Sequence, residues 1–89
     1  MTKDELRATV LRVLGEIAPE ADLDRIKPAV SFRDQLDLDS MDFLNFVIGL
    51  HQALGVDIPE SDYPKLVSLE GCVEHLVPLD GSPNKETAR

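Results

Sequence analysis

Four aspartates, Asp34, Asp37, Asp39 and Asp42, lie within six residues of a single hydroxyl, that of Ser40. Carboxylates at this density could hold a cation, and the alternation of Asp37 and Asp39 resembles the start of a calcium loop. An EF-hand loop beginning at Asp37 would need glycine at position 42 and glutamate at position 48, where Asp42 and Ile48 stand, so that site fails and no metal is expected. A Gly-x-Ser-x-Gly elbow, a glycine-rich phosphate loop and a His-Glu-x-x-His pair are all missing from the sequence, which therefore reads as that of a protein that is not an enzyme. Cys72 is the only cysteine; it can form neither an internal disulfide nor a cysteine-based zinc cluster, and it reads as a small buried apolar side chain. His51 and His75 read as solvated side chains without a role.

The elements that must position Ser40 follow from periodicity and caps. Thr2 and Glu5 have capping-box spacing, and Leu6, Val10, Val13, Leu14 and Ile17 follow at helical intervals, which predicts a first helix to about Ala18. Residues 19–38 form a long connection carrying isolated apolar residues, expected to be pinned to the body of the protein by its own side chains. Asp39 is an N-cap for a second helix from Ser40 to Leu54, stopped by Gly55. One short helical turn over Glu60 to Tyr63 should end at Pro64, and Ser68 should cap a last helix from Leu69 to about Val77, burying Leu69, Cys72, Val73 and Leu76. The fold class predicted is all-α: an antiparallel four-helix bundle with three main helices, a short third helix and a long loop between the first two. Residues 1–78 make one domain, and the polar stretch 79–89 reads as a flexible tail.

The second helix carries two apolar stripes. At about 100° per residue, Phe43, Phe46, Val47, Leu50 and Leu54 share an arc suited to the core, while Met41, Leu44 and Ile48 centre about 130° away. Either the long loop covers this second stripe, or it is a docking surface with Asp42 on its rim. At the helix start, capping and the helix dipole alone would justify Asp39 and Asp42, and a serine there is commonplace.

Seventeen acids against nine bases give a formal charge of -8, which repels nucleic-acid phosphates and anionic membranes and favours basic patches on protein partners. Hydrophobic residues make up 43% and aromatics 4%, so the core is mostly aliphatic. The chain shows neither an apolar signal core nor a spanning run, and with one cysteine it is expected to be a cytoplasmic monomer.

Asp39-Ser40-Met41 resembles the Asp-Ser-Leu attachment motif of the acyl carrier protein family. The context extends the likeness: the motif opens a helix ending near Leu54, Val56-Asp57-Ile58-Pro59 follows at the family's spacing, and Lys65-Leu66 and Ser68 continue it. The resemblance spans the first helix to about Val77 and implies a carrier domain over 1–78 that catalyses nothing itself. It further implies that a phosphopantetheinyl transferase of the holo-acyl-carrier-protein synthase type attaches 4′-phosphopantetheine from coenzyme A to Ser40, with Asp39 as motif residue and N-cap. The arm's thiol would then hold an acyl or aminoacyl group as a thioester, supplied by a loading ligase and consumed by downstream acyl-processing enzymes. Met41, Asp42, Leu44, Ile48 and Asp37 become the expected partner-binding residues.

Two departures bear on those partners. The glycine common shortly before the serine is read as replaced by Leu38. Carriers of fatty acid synthesis bear several acids along the second helix, whereas Asn45, His51 and Gln52 occupy outward positions here and the acids crowd the preceding loop. A free-standing carrier for a dedicated biosynthetic pathway is therefore expected, fatty acyl, polyketide and aminoacyl cargo remaining open. The alternative is a carrier-like helical module that binds partners with Ser40 unmodified.

Overall fold

The structure, a computed structural model, describes residues 2–77; Met1, Pro78 and the expected tail 79–89 lie outside them. Helix α1 spans Lys3–Ile17, α2 Phe32–Leu36, α3 Ser40–Leu54 and α4 Leu69–Leu76, with 3₁₀ segments at Leu23–Arg25 and Glu60–Leu66. There is no strand among the described residues, and the all-α bundle expected from the sequence is the one observed.

Helix α1 begins where its capping box dictates: Thr2 Oγ1 accepts the Glu5 N–H at 3.1 Å and Glu5 Oε1 accepts the Thr2 N–H at 2.8 Å. Those hydrogen bonds stabilise the ionised Glu5 carboxylate and hold its pKa below the usual value. Helix α3 stops at Gly55, whose φ of 68° is left-handed backbone that a residue without Cβ adopts freely. Helix α1 packs against both α3 and α4, joining Leu6, Val10, Val13 and Leu14 to Phe46, Leu50, Leu69, Cys72 and Leu76 in one core. Phe32 enters that core from the connection and meets Phe46 edge to face, with centroids 5.2 Å apart. Each such side chain contributes about 1.5–3 kcal/mol on full burial.

The connection differs from its sequence reading by containing α2, a five-residue helix opened by Ser31, whose Oγ accepts the Arg33 N–H at 3.1 Å. It is pinned as expected, chiefly through backbone: the Phe32 N–H donates to the Val67 carbonyl at 2.7 Å and the Glu70 N–H to the Pro28 carbonyl at 2.9 Å. The short third helix also departs from expectation, continuing through Pro64 to Leu66. A 3₁₀ turn tolerates the fixed φ of proline, and Leu66 is drawn inward to complete burial.

Candidate functional site

Helix α2 ends at Asp37, whose backbone is left-handed at φ 59° and ψ 38°, and whose N–H donates to the Arg33 carbonyl at 3.0 Å. It is the one non-glycine residue with positive φ among the described residues. The tight reversal that a glycine would ease thus falls at Asp37. Leu38, read from the sequence as the substituted glycine, is instead an anchor, 7% exposed in the core. One residue further, Asp39 caps α3: its Oδ1 accepts the Asp42 N–H at 2.8 Å, and Asp42 Oδ2 faces the Asp39 N–H at 3.4 Å. Ser40 is therefore the first residue of a helix whose start is fixed from both sides, and it is exposed.

The amide donors at this helix start are only partly used. The Phe43 N–H goes to the Asp39 carbonyl at 3.0 Å and the Asp42 N–H to the Asp39 carboxylate, while those of Ser40 and Met41 have no acceptor among the described residues. An exposed hydroxyl beside two available amides, at the positive end of a helix dipole, fits a phosphodiester. The structure thus brings together Asp37, Asp39, Ser40 and Asp42, with Asp34 exposed on α2 nearby in the chain.

The two stripes of α3 separate cleanly. Phe46, Val47 and Leu50 are buried, Phe43 is half-buried against Phe46 and Tyr63, and the loop leaves Met41, Leu44 and Ile48 uncovered at 64%, 38% and 44% exposure. Beyond Ile48 a groove of about 470 Å³ runs between α3 and the 3₁₀ segment, lined among others by His51, Asp57, Ile58 and Tyr63. Among the described residues no three His, Cys, Asp or Glu side chains are grouped to hold a metal ion. No helix of the described residues is long and apolar enough to cross a membrane.

Both histidines have roles the sequence reading withheld. His51 places Nδ1 against the Val56 carbonyl, closing the turn after α3. His75 is mostly buried, and its Nε2 lies 3.0 Å from Asp62 Oδ2 on the 3₁₀ segment without the geometry of a hydrogen bond. Nothing in linear spacing marks either contact, since Asp62 and His75 meet only after the two elements pack. Cys72 is buried as expected: its Sγ donates to the Leu66 carbonyl at 3.3 Å, and burial pushes the thiol up to about 12.

Residues 4–76 match the family described as a phosphopantetheine attachment site. The acyl carrier protein of Rubrobacter xylanophilus is 30% identical over 74 residues, covering 80% of this chain and 91% of that protein. That of Lactobacillus johnsonii is 32% identical over 76 residues, covering 85% and 94% respectively. The acyl carrier protein of Acidothermus cellulolyticus is 27% identical over 78 residues, covering 85% of this chain and 89% of its own length.

Proposed function

The chain belongs to the acyl carrier protein family, whose members carry rather than catalyse, and we propose that Ser40 is the residue to which its phosphopantetheine is attached. The observation that supports this most is the exposed Ser40 hydroxyl at the capped start of α3, inside the matched span. Bound there, the arm supplies a flexible terminal thiol on which an acyl or aminoacyl group travels as a thioester. The protein's own residues do the rest: Asp39 and Asp42 fix the helix start, the amides of Ser40 and Met41 meet the phosphate, and Leu38 anchors the approach.

The docking surface for the transferase and for acyl-processing enzymes is Met41, Leu44 and Ile48, rimmed by Asp42 and Asp37. Its two ends differ in chemistry. Acids surround Ser40, whereas Asn45, His51 and Gln52 leave the distal part of α3 without a carboxylate. A matching enzyme carries cations near the arm and a neutral apolar patch beyond it, which favours a dedicated biosynthetic set over enzymes that read an acidic helix along its length.

Incubation of the protein with coenzyme A and a broad-specificity phosphopantetheinyl transferase, followed by intact-mass measurement, tests the attachment. A single phosphopantetheine should appear on the wild type and vanish in Ser40→Ala. A gain of mass that persists in Ser40→Ala would refute the assignment. Leu44→Asp or Ile48→Asp should retain the fold and lower the transferase kcat/KM by about tenfold, the cost of putting a charge into an apolar contact.

A further inference from the structure

Phe32 and Leu38 anchor the later part of the connection between α1 and α3 in the core, whereas its earlier part meets the core only through the partly buried Ala21, Leu23 and Ile26. None of residues 19–31 is buried, yet the segment is shaped closely enough to deliver α2 and the approach to Ser40. One side chain supplies much of that shape. Gln35 Oε1 accepts the Lys27 N–H at 2.9 Å, while Nε2 donates to the Lys27 carbonyl and to the Val30 carbonyl, each at 2.9 Å. Two of these bonds span eight residues. The clamped stretch is itself tied to the start of α4 by the Pro28 carbonyl, so Gln35 closes a path from α4 through the loop to α2.

We propose that Gln35 is a positioning residue for the loading of Ser40, an inference that rests on the attachment reading above. Its amide orients α2, and α2 leads through the left-handed Asp37 and the buried Leu38 into the serine five residues on. Only an amide fits this cradle. Two N–H groups face two carbonyl oxygens while one oxygen faces one N–H, and the opposite orientation would set donor against donor and acceptor against acceptors. A carboxylate of the same size would turn negative charge toward both carbonyls, and a thioether would offer no strong partner to any of the three groups. Phe32 keeps α2 in the core, so a loosened Gln35 clamp leaves the fold intact and shifts the orientation of α2, and displacing a reacting hydroxyl by about 1 Å can cost up to a hundredfold in rate.

The test uses the full chain, coenzyme A and a broad-specificity phosphopantetheinyl transferase, with carrier concentration varied for wild type, Gln35→Glu and Gln35→Met. Thermal melts and the exchange rate of the Lys27 amide are measured on the same samples. Both variants are expected to melt cooperatively and to load with kcat lowered about tenfold, and Lys27 exchange should quicken in Gln35→Met. Mere loss of folded carrier would dilute the competent substrate and raise the apparent KM, leaving kcat at saturation unchanged. A wild-type kcat in both variants overturns the inference, as does loss of cooperative melting in both, which would make Gln35 a residue of bundle stability alone. If the wild type itself gains no mass, the assignment of Ser40 fails first, and the role of Gln35 in loading falls with it.

Discussion

Helix α3 shows two apolar faces with opposite fates. Phe46, Val47 and Leu50 lie in the core, on the side of α3 that meets α1, while Met41, Leu44 and Ile48 are exposed. The residue types are interchangeable; what differs is whether an element of the same chain has somewhere to sit. Close approach of α1 serves the inner face, since a Cβ built on Gly49 would come within 2.6 Å of Val13 Cγ1. On the outer face nothing among the described residues covers the stripe, and exposed apolar surface of this kind is a usual mark of a protein interface. The difference is sharpest in a pair of truncations measured by urea unfolding. Phe46→Ala should cost about 3–5 kcal/mol through the cavity it leaves, and Ile48→Ala no more than about 0.5 kcal/mol. Equal losses would mean that the two faces are not distinct.

The main helices were legible because their signals are local. The capping boxes at Thr2 and Asp39 and the 3.6-residue period place α1 and α3, and Gly55 ends α3. The place of Ser40 as the first residue of α3 is legible for the same reason, since it follows the Asp39 cap. Alpha-helix α2 was not, since five residues hold too few periods to show a pattern and Phe32 becomes a core residue only through contact with Phe46. Pro64 reads as a breaker by the rule that holds for α-helices, whereas a 3₁₀ segment accommodates it. Which stripe of α3 would be covered depended on the path of residues 19–38, and that path is set by the Gln35 clamp and by backbone bonds to Val67 and Glu70. Partners so distant in sequence leave no spacing to read.

The inner side of the comparison can be probed by pH through Cys72. Burial raises its thiol from 9.0 to about 12, so the folded protein keeps a proton that the unfolded chain releases first. The contribution is fully present below the ordinary thiol value and is lost as pH rises toward the folded one. Stability should therefore fall by up to about 1.4 kcal/mol per pH unit across that window. The measured quantity is the difference between the wild type and Cys72→Ala in urea midpoints from pH 8 to 11, which isolates the thiol. The wild-type curve should descend more steeply; parallel curves would show that the thiol is not held in the core.

The smallest effect lies at the entrance to the outer face, where Asp37 holds a left-handed backbone that the inner face nowhere requires. Asp37→Gly removes the Cβ that this conformation crowds, worth about 1 kcal/mol, and part of that gain is offset by the greater freedom of the unfolded chain. The net should be a rise of about 0.5 kcal/mol. Asp37→Ala keeps the Cβ while losing the short polar side chain that tolerates this region, so it should fall below the wild type. Both variants remove the same carboxylate from the rim around Ser40. A transferase that uses this charge should load both more slowly, by the same factor, with a weaker dependence on salt. The pair thus separates backbone shape from charge: stability should order as Gly above Asp above Ala, while loading groups Gly with Ala. If loading instead followed the stability order, the carboxylate at Asp37 would have no part in docking, and the acidic end of the surface would begin at Asp39.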